Sequence, residues 1–108
     1  MDHEVLRFKA DFFKALAHPL RIRILEILSK GEFNVNEIQE MAESEGSAVS
    51  QQLAILRSKN IVFGIKEGNK VKYKLRDSKI VDLLKSAKQI FNNHLVDTIS
   101  MLDRVKNL

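Results

Sequence analysis

Val5, Phe8, Phe12 and Leu16 recur at intervals of three and four, with Leu6, Phe13 and Ala17 beside them, and predict a helix over about 4–17 that is apolar across a wide arc. His18-Pro19 ends it, because a residue before proline avoids the α region and proline suits the first turn of a new helix. His18 reads as a capping or packing residue, since no second metal ligand stands at a helical interval from it. Leu20, Ile24, Ile27 and Leu28 mark the inner side of a second helix from Pro19 to about Ser29, with Arg21, Arg23 and Glu26 outward and Gly31 as its stop. Asn36 is expected to cap a short amphipathic helix carrying Ile38, Met41 and Ala42 and ending near Ser44. Gly46 then turns the chain, and Ser47 is expected to cap a fourth helix whose buried stripe is Val49, Leu53 and Leu56.

Beyond Asn60 the period changes from helical to two. Ile61, Phe63 and Ile65 alternate with Val62, Gly64 and Lys66; after Glu67-Gly68-Asn69-Lys70, Val71, Tyr73 and Leu75 alternate with Lys72 and Lys74. Two such runs around Gly-Asn predict a β-hairpin, with one apolar face and one face carrying Lys66, Lys72 and Lys74. From Asp77 or Ser78, as a cap, a final helix places Ile80, Leu84, Ala87 and Phe91 on one stripe; Asn92-Asn93 interrupts it, and Leu95, Ile99 and Leu102 resume it in a shifted phase. One bent helix and two separate helices both fit that pattern.

The fold class that follows is mainly α with a β-hairpin wing. Two short helices over about 36–58, joined by a tight glycine-containing turn, form a helix-turn-helix, and the hairpin over about 61–75 makes it winged. Opposite its apolar stripe the fourth helix shows Ser47, Ala48, Ser50, Gln51 and Ala54, a small, polar, uncharged face that suits a groove. Glutamine presents a paired donor and acceptor to a base edge, and short serines let the backbone approach phosphates.

Charge sharpens this reading. The net +4 is modest, but from Arg57 to Lys79 eight basic residues stand against Glu67 and Asp77, whereas residues 32–45 hold five glutamates and no base. A basic patch confined to the hairpin and its flanks is what phosphate neutralisation requires. At 108 residues the whole chain, 1–108, reads as one domain, small enough that dimerisation would add stability. Phe12, Phe13, Ile80, Leu84, Ala87 and Phe91, on first and last helices spanning about 4–17 and 78–105, carry more apolar surface than such a domain covers alone, and are expected at a dimer interface. With no cysteine, no apolar run of 18 residues and no secretory leader, disulfides, membrane insertion and export are not expected, and the cytoplasm is the default location. Three histidines at 3, 18 and 94 assemble no catalytic arrangement, so an enzyme is not expected. The competing function is a winged-helix module for protein contacts, using the acidic third helix and the long last one.

Taken together, Ala15-Leu16-Ala17-His18-Pro19-Leu20-Arg21-Ile22-Arg23-Ile24-Leu25, Ser47-Ala48-Val49-Ser50-Gln51-Gln52-Leu53-Ala54-Ile55-Leu56-Arg57 and Glu67-Gly68-Asn69-Lys70-Val71-Lys72-Tyr73-Lys74-Leu75 resemble, in this order and spacing, the ArsR/SmtB family of winged-helix repressors. The resemblance spans nearly the whole chain. It implies a homodimer built from the first and last helices that binds an operator in double-stranded DNA and is released by a signal. By position, the family's DNA-contacting helix face falls on Ser47, Ser50 and Gln51, with Gln52 beside them and Arg57 from the basic patch, and its wing falls on Gly68, Asn69, Lys70 and Lys72. The sensor positions depart from the pattern. A Cys-x-Cys pair of thiolate-using members is replaced by Asn34-Val35-Asn36, and the four ligands of zinc-sensing members fall on Asp77, Lys79, Ile90 and Asn93. His94 and Asp97 keep a ligand spacing but stand out of register without partners, so neither a metal nor another cofactor is expected. The effector implied by the family is left as an organic ligand near the helical dimer interface, a protein partner, or none beyond expression level.

Overall fold

The computed structural model describes residues 2–107. Its elements follow in the order α1 (His3–Leu16), α2 (Pro19–Leu28), β1 (Phe33–Asn34), α3 (Val35–Ala42), α4 (Gly46–Ser58), β2 (Val62–Glu67), β3 (Lys70–Leu75) and α5 (Lys79–Lys106). Residues up to Ser78 form one compact unit and α5 a second, each described by itself.

Caps set the helix boundaries in the first unit. His18 is extended and its Nδ1 accepts from the amides of Leu20 at 3.1 Å and Arg21 at 3.4 Å, so the histidine before Pro19 is a cap, as its position predicts. Two expected caps are displaced. Asn34, not Asn36, opens α3: its Oδ1 accepts from the Glu37 amide at 2.9 Å while Glu37 accepts from the Asn34 amide at 3.0 Å, a reciprocal capping box. Asn36 has Gln39 at the same spacing, so the capping-box pattern by itself does not choose between the two asparagines. Ser47 caps nothing, because α4 starts at Gly46 with Glu45 as its cap residue and no side-chain bond there. The turn between α3 and α4 is held instead by Glu43 in the left-handed conformation, φ 53°, and by Gln39 Nε2 donating to the Gly46 carbonyl.

The core of this unit joins α2, α3, α4 and the sheet through Ile24, Leu25, Ile27, Leu28, Ile38, Val49, Leu53, Leu56, Ile61, Val62 and Leu75, all buried. Each large side chain there contributes on the order of 1.5–3 kcal/mol by leaving water. The stripe of Val49, Leu53 and Leu56 thus seats α4 with its opposite face outward. Asn60, at φ 59°, turns the chain from α4 into β2, a conformation asparagine tolerates better than most residues.

The sheet has three antiparallel strands in the order β1-β3-β2. Strand β1 is not foreseen from the pattern; two residues are too few for a period, and Phe33 opposite Tyr73 with Asn34 opposite Lys72 is a purely long-range pairing. The hairpin faces also differ from expectation. The two-residue turn pairs Glu67 with Lys70, so each cross-strand pair joins an odd to an even position. Val62, Gly64 and Lys66 therefore share a face with Leu75, Tyr73 and Val71, and Val62 and Leu75 are buried, whereas Phe63 and Ile65 lie on the other face opposite Lys74 and Lys72. Arg76 stacks over the Phe63 ring at 5.2 Å, so the basic face is half aromatic and aliphatic rather than purely charged. On the opposite face Gly64 leaves room for Val71, since an added Cβ would stand 2.7 Å from Val71 Cγ1.

Helix α5 runs without interruption through Asn92-Asn93, which resolves the two expectations for the last helix in favour of one. Asparagine costs a helix only tenths of a kcal/mol per residue and breaks nothing unless tertiary packing demands it.

Candidate nucleic-acid interface

With Val49, Leu53 and Leu56 inward, the helical period places Ser47, Gln51, Ala54 and Ser58 on the outermost side of α4, Ser50 and Arg57 on one flank and Gln52 on the other. Ser47, Ser50, Gln51 and Ala54 are exposed, as the pattern predicts, and Arg57 is exposed too, whereas Ala48, expected on the same face, is half-buried. The Gln51 carboxamide makes no hydrogen bond among the described residues, so its donor and acceptor are both available to a base edge.

Gln52 is different. It is half-buried, and its Oε1 accepts from Arg21 Nη1 at 2.9 Å. Arg21, expected to point outward, donates from Nε to the Ala15 carbonyl at 2.7 Å and from Nη2 to the Lys14 carbonyl at 3.4 Å. One guanidinium thus ties the C-terminal end of α1 and the start of α2 to the middle of α4. No local pattern signals this, because Gln52 lies 31 residues from Arg21 in sequence.

In the wing, Gly68 has φ +63° while Asn69 does not leave the negative range, the arrangement of a type II′ hairpin turn. Nothing lies within 4 Å of a Cβ built on Gly68, so the glycine is required by the turn's backbone and not by crowding. Gly68, Asn69 and Lys70 are exposed at the tip. Lys72 Nζ lies 3.5 Å from Glu67 and Lys74 Nζ 3.6 Å from Glu32, with every partner at least 40% exposed. Such solvated pairs contribute little, so phosphates compete easily for both lysines.

Of the residues expected at a dimer surface, Phe13 is exposed and stacks edge-on against half-buried Phe12 at 5.6 Å. On α5, Ile80 is buried, which removes it from any exposed face; Leu84 and Ala87 are half-buried, and Phe91 is 65% exposed. Exposed apolar residues are denser beyond Phe91 than before it: Leu95, Val96, Ile99, Met101, Leu102 and Val105 all project into solvent in the single chain. At the positions aligned with thiolate sensors, Asn34 is engaged in its capping box and borders an open cleft with Asn36, Lys70, Val71 and Tyr73. Among the described residues no helix is long and apolar enough to cross a membrane.

Comparison with known proteins agrees with this geometry. Residues 18–62 match the model of the arsR family of bacterial regulatory proteins, a span that runs from the His18 cap to the start of the wing. An uncharacterised helix-turn-helix transcriptional regulator of Mycobacterium tuberculosis, Rv0081, is 37% identical over 98% of this chain and 95% of its own length. Its crystal structure superimposes with a TM-score of 0.82 at 36% identity, covering 91% of this chain and 99% of that one. The biofilm growth-associated repressor of Agrobacterium fabrum is 34% identical over 76% of this chain and 70% of its own. The homodimeric winged helix-turn-helix DNA-binding domain of a possible ArsR-family regulator from Mycobacterium bovis superimposes with a TM-score of 0.76 at 27% identity, covering 85% of each chain. A helix-turn-helix with a neutral probe face, a lysine-bearing wing and this similarity along nearly its whole length make the chain a member of the ArsR family of winged helix-turn-helix transcriptional regulators.

Proposed function

We propose that this regulator is a repressor that binds an inverted-repeat operator as a homodimer, within the cytoplasm. The observation that carries the reading is the pairing of an uncharged, exposed Ser47, Ser50 and Gln51 face on α4 with exposed lysines on the adjoining hairpin. The first matches base edges and the second matches phosphates. The homodimeric Mycobacterium bovis relative supports the same assembly here. A two-fold dimer reads half-sites separated by about one helical turn of DNA, ~10 bp, or a multiple of it.

Duplexes enriched from a random pool by the protein, then titrated over a range of salt, test the reading. Lys72→Ala should weaken binding to all sequences alike and lower the salt slope by about one, whereas Gln51→Ala should cost about 1–3 kcal/mol mainly on the enriched site. Salt-insensitive binding without sequence preference would instead favour a protein-contact module.

The regulatory signal follows from residue chemistry. Without cysteine there is no thiolate for arsenite, soft metals or peroxide. At the four positions aligned with zinc ligands, Lys79 and Ile90 supply no donor to a cation, and Lys79 adds a positive charge. Operator affinity is therefore expected to be unchanged by zinc in a titration reversed with chelator; stoichiometric release would point to His94 and Asp97. Control then comes from an organic ligand, from a protein partner, or from expression level.

A further inference from the structure

The bond between Arg21 and Gln52 settles the chemistry that Gln52 can offer. A guanidinium has five donors and no acceptor, so only the oxygen of the Gln52 carboxamide can face it; the flipped amide would set two donors against each other. The orientation is thereby fixed, with one lone pair of Oε1 engaged by Arg21 and the Nε2 hydrogens unpartnered among the described residues. Arg21 is itself overdetermined, because its other nitrogens reach the Ala15 carbonyl and the Lys14 carbonyl, which also accepts from the Ala17 amide, at the end of α1, where the negative end of the helix dipole favours a cation. Adenine recognition by glutamine needs a donor and an acceptor presented side by side to the base edge, which Gln51 can offer, whereas the Gln52 oxygen is turned toward Arg21. Phosphate oxygens only accept. Gln52 also stands on the flank of α4, where a helix lying in the major groove meets the backbone walls rather than the floor of bases.

We infer that Arg21 is a positioning residue that orients Gln52 so that its NH2 group serves as a phosphate clamp on the flank of α4, leaving base readout to Gln51. This rests on the duplex-binding reading above. It divides two adjacent, chemically identical side chains into one that specifies and one that anchors, and the division is made by a residue that need not touch DNA.

The test uses the full chain, a duplex enriched from a random pool by the wild type, and a scrambled duplex of the same length. Gln52→Met keeps the length of the side chain and removes its donors without adding charge; Gln52→Glu keeps an acceptor for Arg21 and removes the donors. Both should retain the wild-type circular dichroism spectrum. Gln52→Met should weaken binding to the enriched and scrambled duplexes by the same factor, on the order of tenfold, and Gln52→Glu by more. The ratio between duplexes, and the bases enriched when the pool is selected again, should not change for either. Gln51→Met should instead collapse the ratio. Arg21→Lys offers a point charge in place of a fork and frees the Gln52 amide, so its loss and that of Gln52→Met should not add when the two are combined. A changed base preference in either Gln52 variant, wild-type affinity in Gln52→Met, or additive losses for Arg21→Lys and Gln52→Met would overturn the inference while duplex binding stands. Failure of the wild type to enrich any sequence would overturn both.

Discussion

Phe91→Glu should convert the protein from dimer to monomer at micromolar concentration in sedimentation experiments and reduce operator affinity by a factor of about 10²–10⁴, the avidity lost when two linked half-site contacts become one. Phe91 is 65% exposed in the single chain, and it opens a stretch in which Leu95, Val96, Ile99, Met101, Leu102 and Val105 are each about half exposed or more. This is more apolar surface than a helix of a monomer ordinarily leaves in water, and on α1 Phe8 at 77% and Phe13 at 59% are exposed as well. A carboxylate in such a face would have to be buried without a partner on association, which costs far more than the lost contacts. Lys85→Glu, on an exposed polar position of the same helix, should leave the dimer intact. A wild type that sediments as a monomer, or a Phe91→Glu variant that remains a dimer, would remove α5 from the assembly.

Leu53→Ala should destabilise the fold by about 2–5 kcal/mol, the range for truncating a fully buried leucine, and lower the thermal midpoint by roughly 10 °C or more. Leu53 is 1% exposed and, with Val49 and Leu56, seats α4 on the core. Its loss opens a cavity beneath the helix that carries Gln51, so affinity should fall at temperatures where the wild type still binds. Ile55, of the same volume but 38% exposed, provides the contrast: Ile55→Ala should cost less than about 1 kcal/mol. Similar midpoints for the two variants in thermal denaturation would mean that the inner stripe of α4 has been misassigned.

The amino-acid sequence by itself determined the features that depend on neighbours three or four residues apart. The stripe of Val49, Leu53 and Leu56 orients α4 because a helix repeats its faces locally, and that orientation brings Ser47, Ser50 and Gln51 to the surface. His18 before Pro19 and Gly68 before Asn69 are legible for the same reason, since a cap and a two-residue turn are decided within a few bonds.

The tertiary structure alone decided whatever joins distant stretches of chain. Alternation along β2 and β3 shows two faces on each strand but not which faces match; the turn register does that, and it moved Phe63 and Ile65 to the side of Lys74 and Lys72. Strand β1 exists because β3 offers it an edge, not because Phe33 and Asn34 have a pattern of their own. The same holds on α4: the helical period sets Gln51 on the outermost side and Gln52 on a flank, but their hydrogen bonding differs only because folding brings Arg21 within 2.9 Å of Gln52. Local periodicity sets which way a side chain faces, whereas its hydrogen-bonding capacity is settled by partners that only the folded chain brings near.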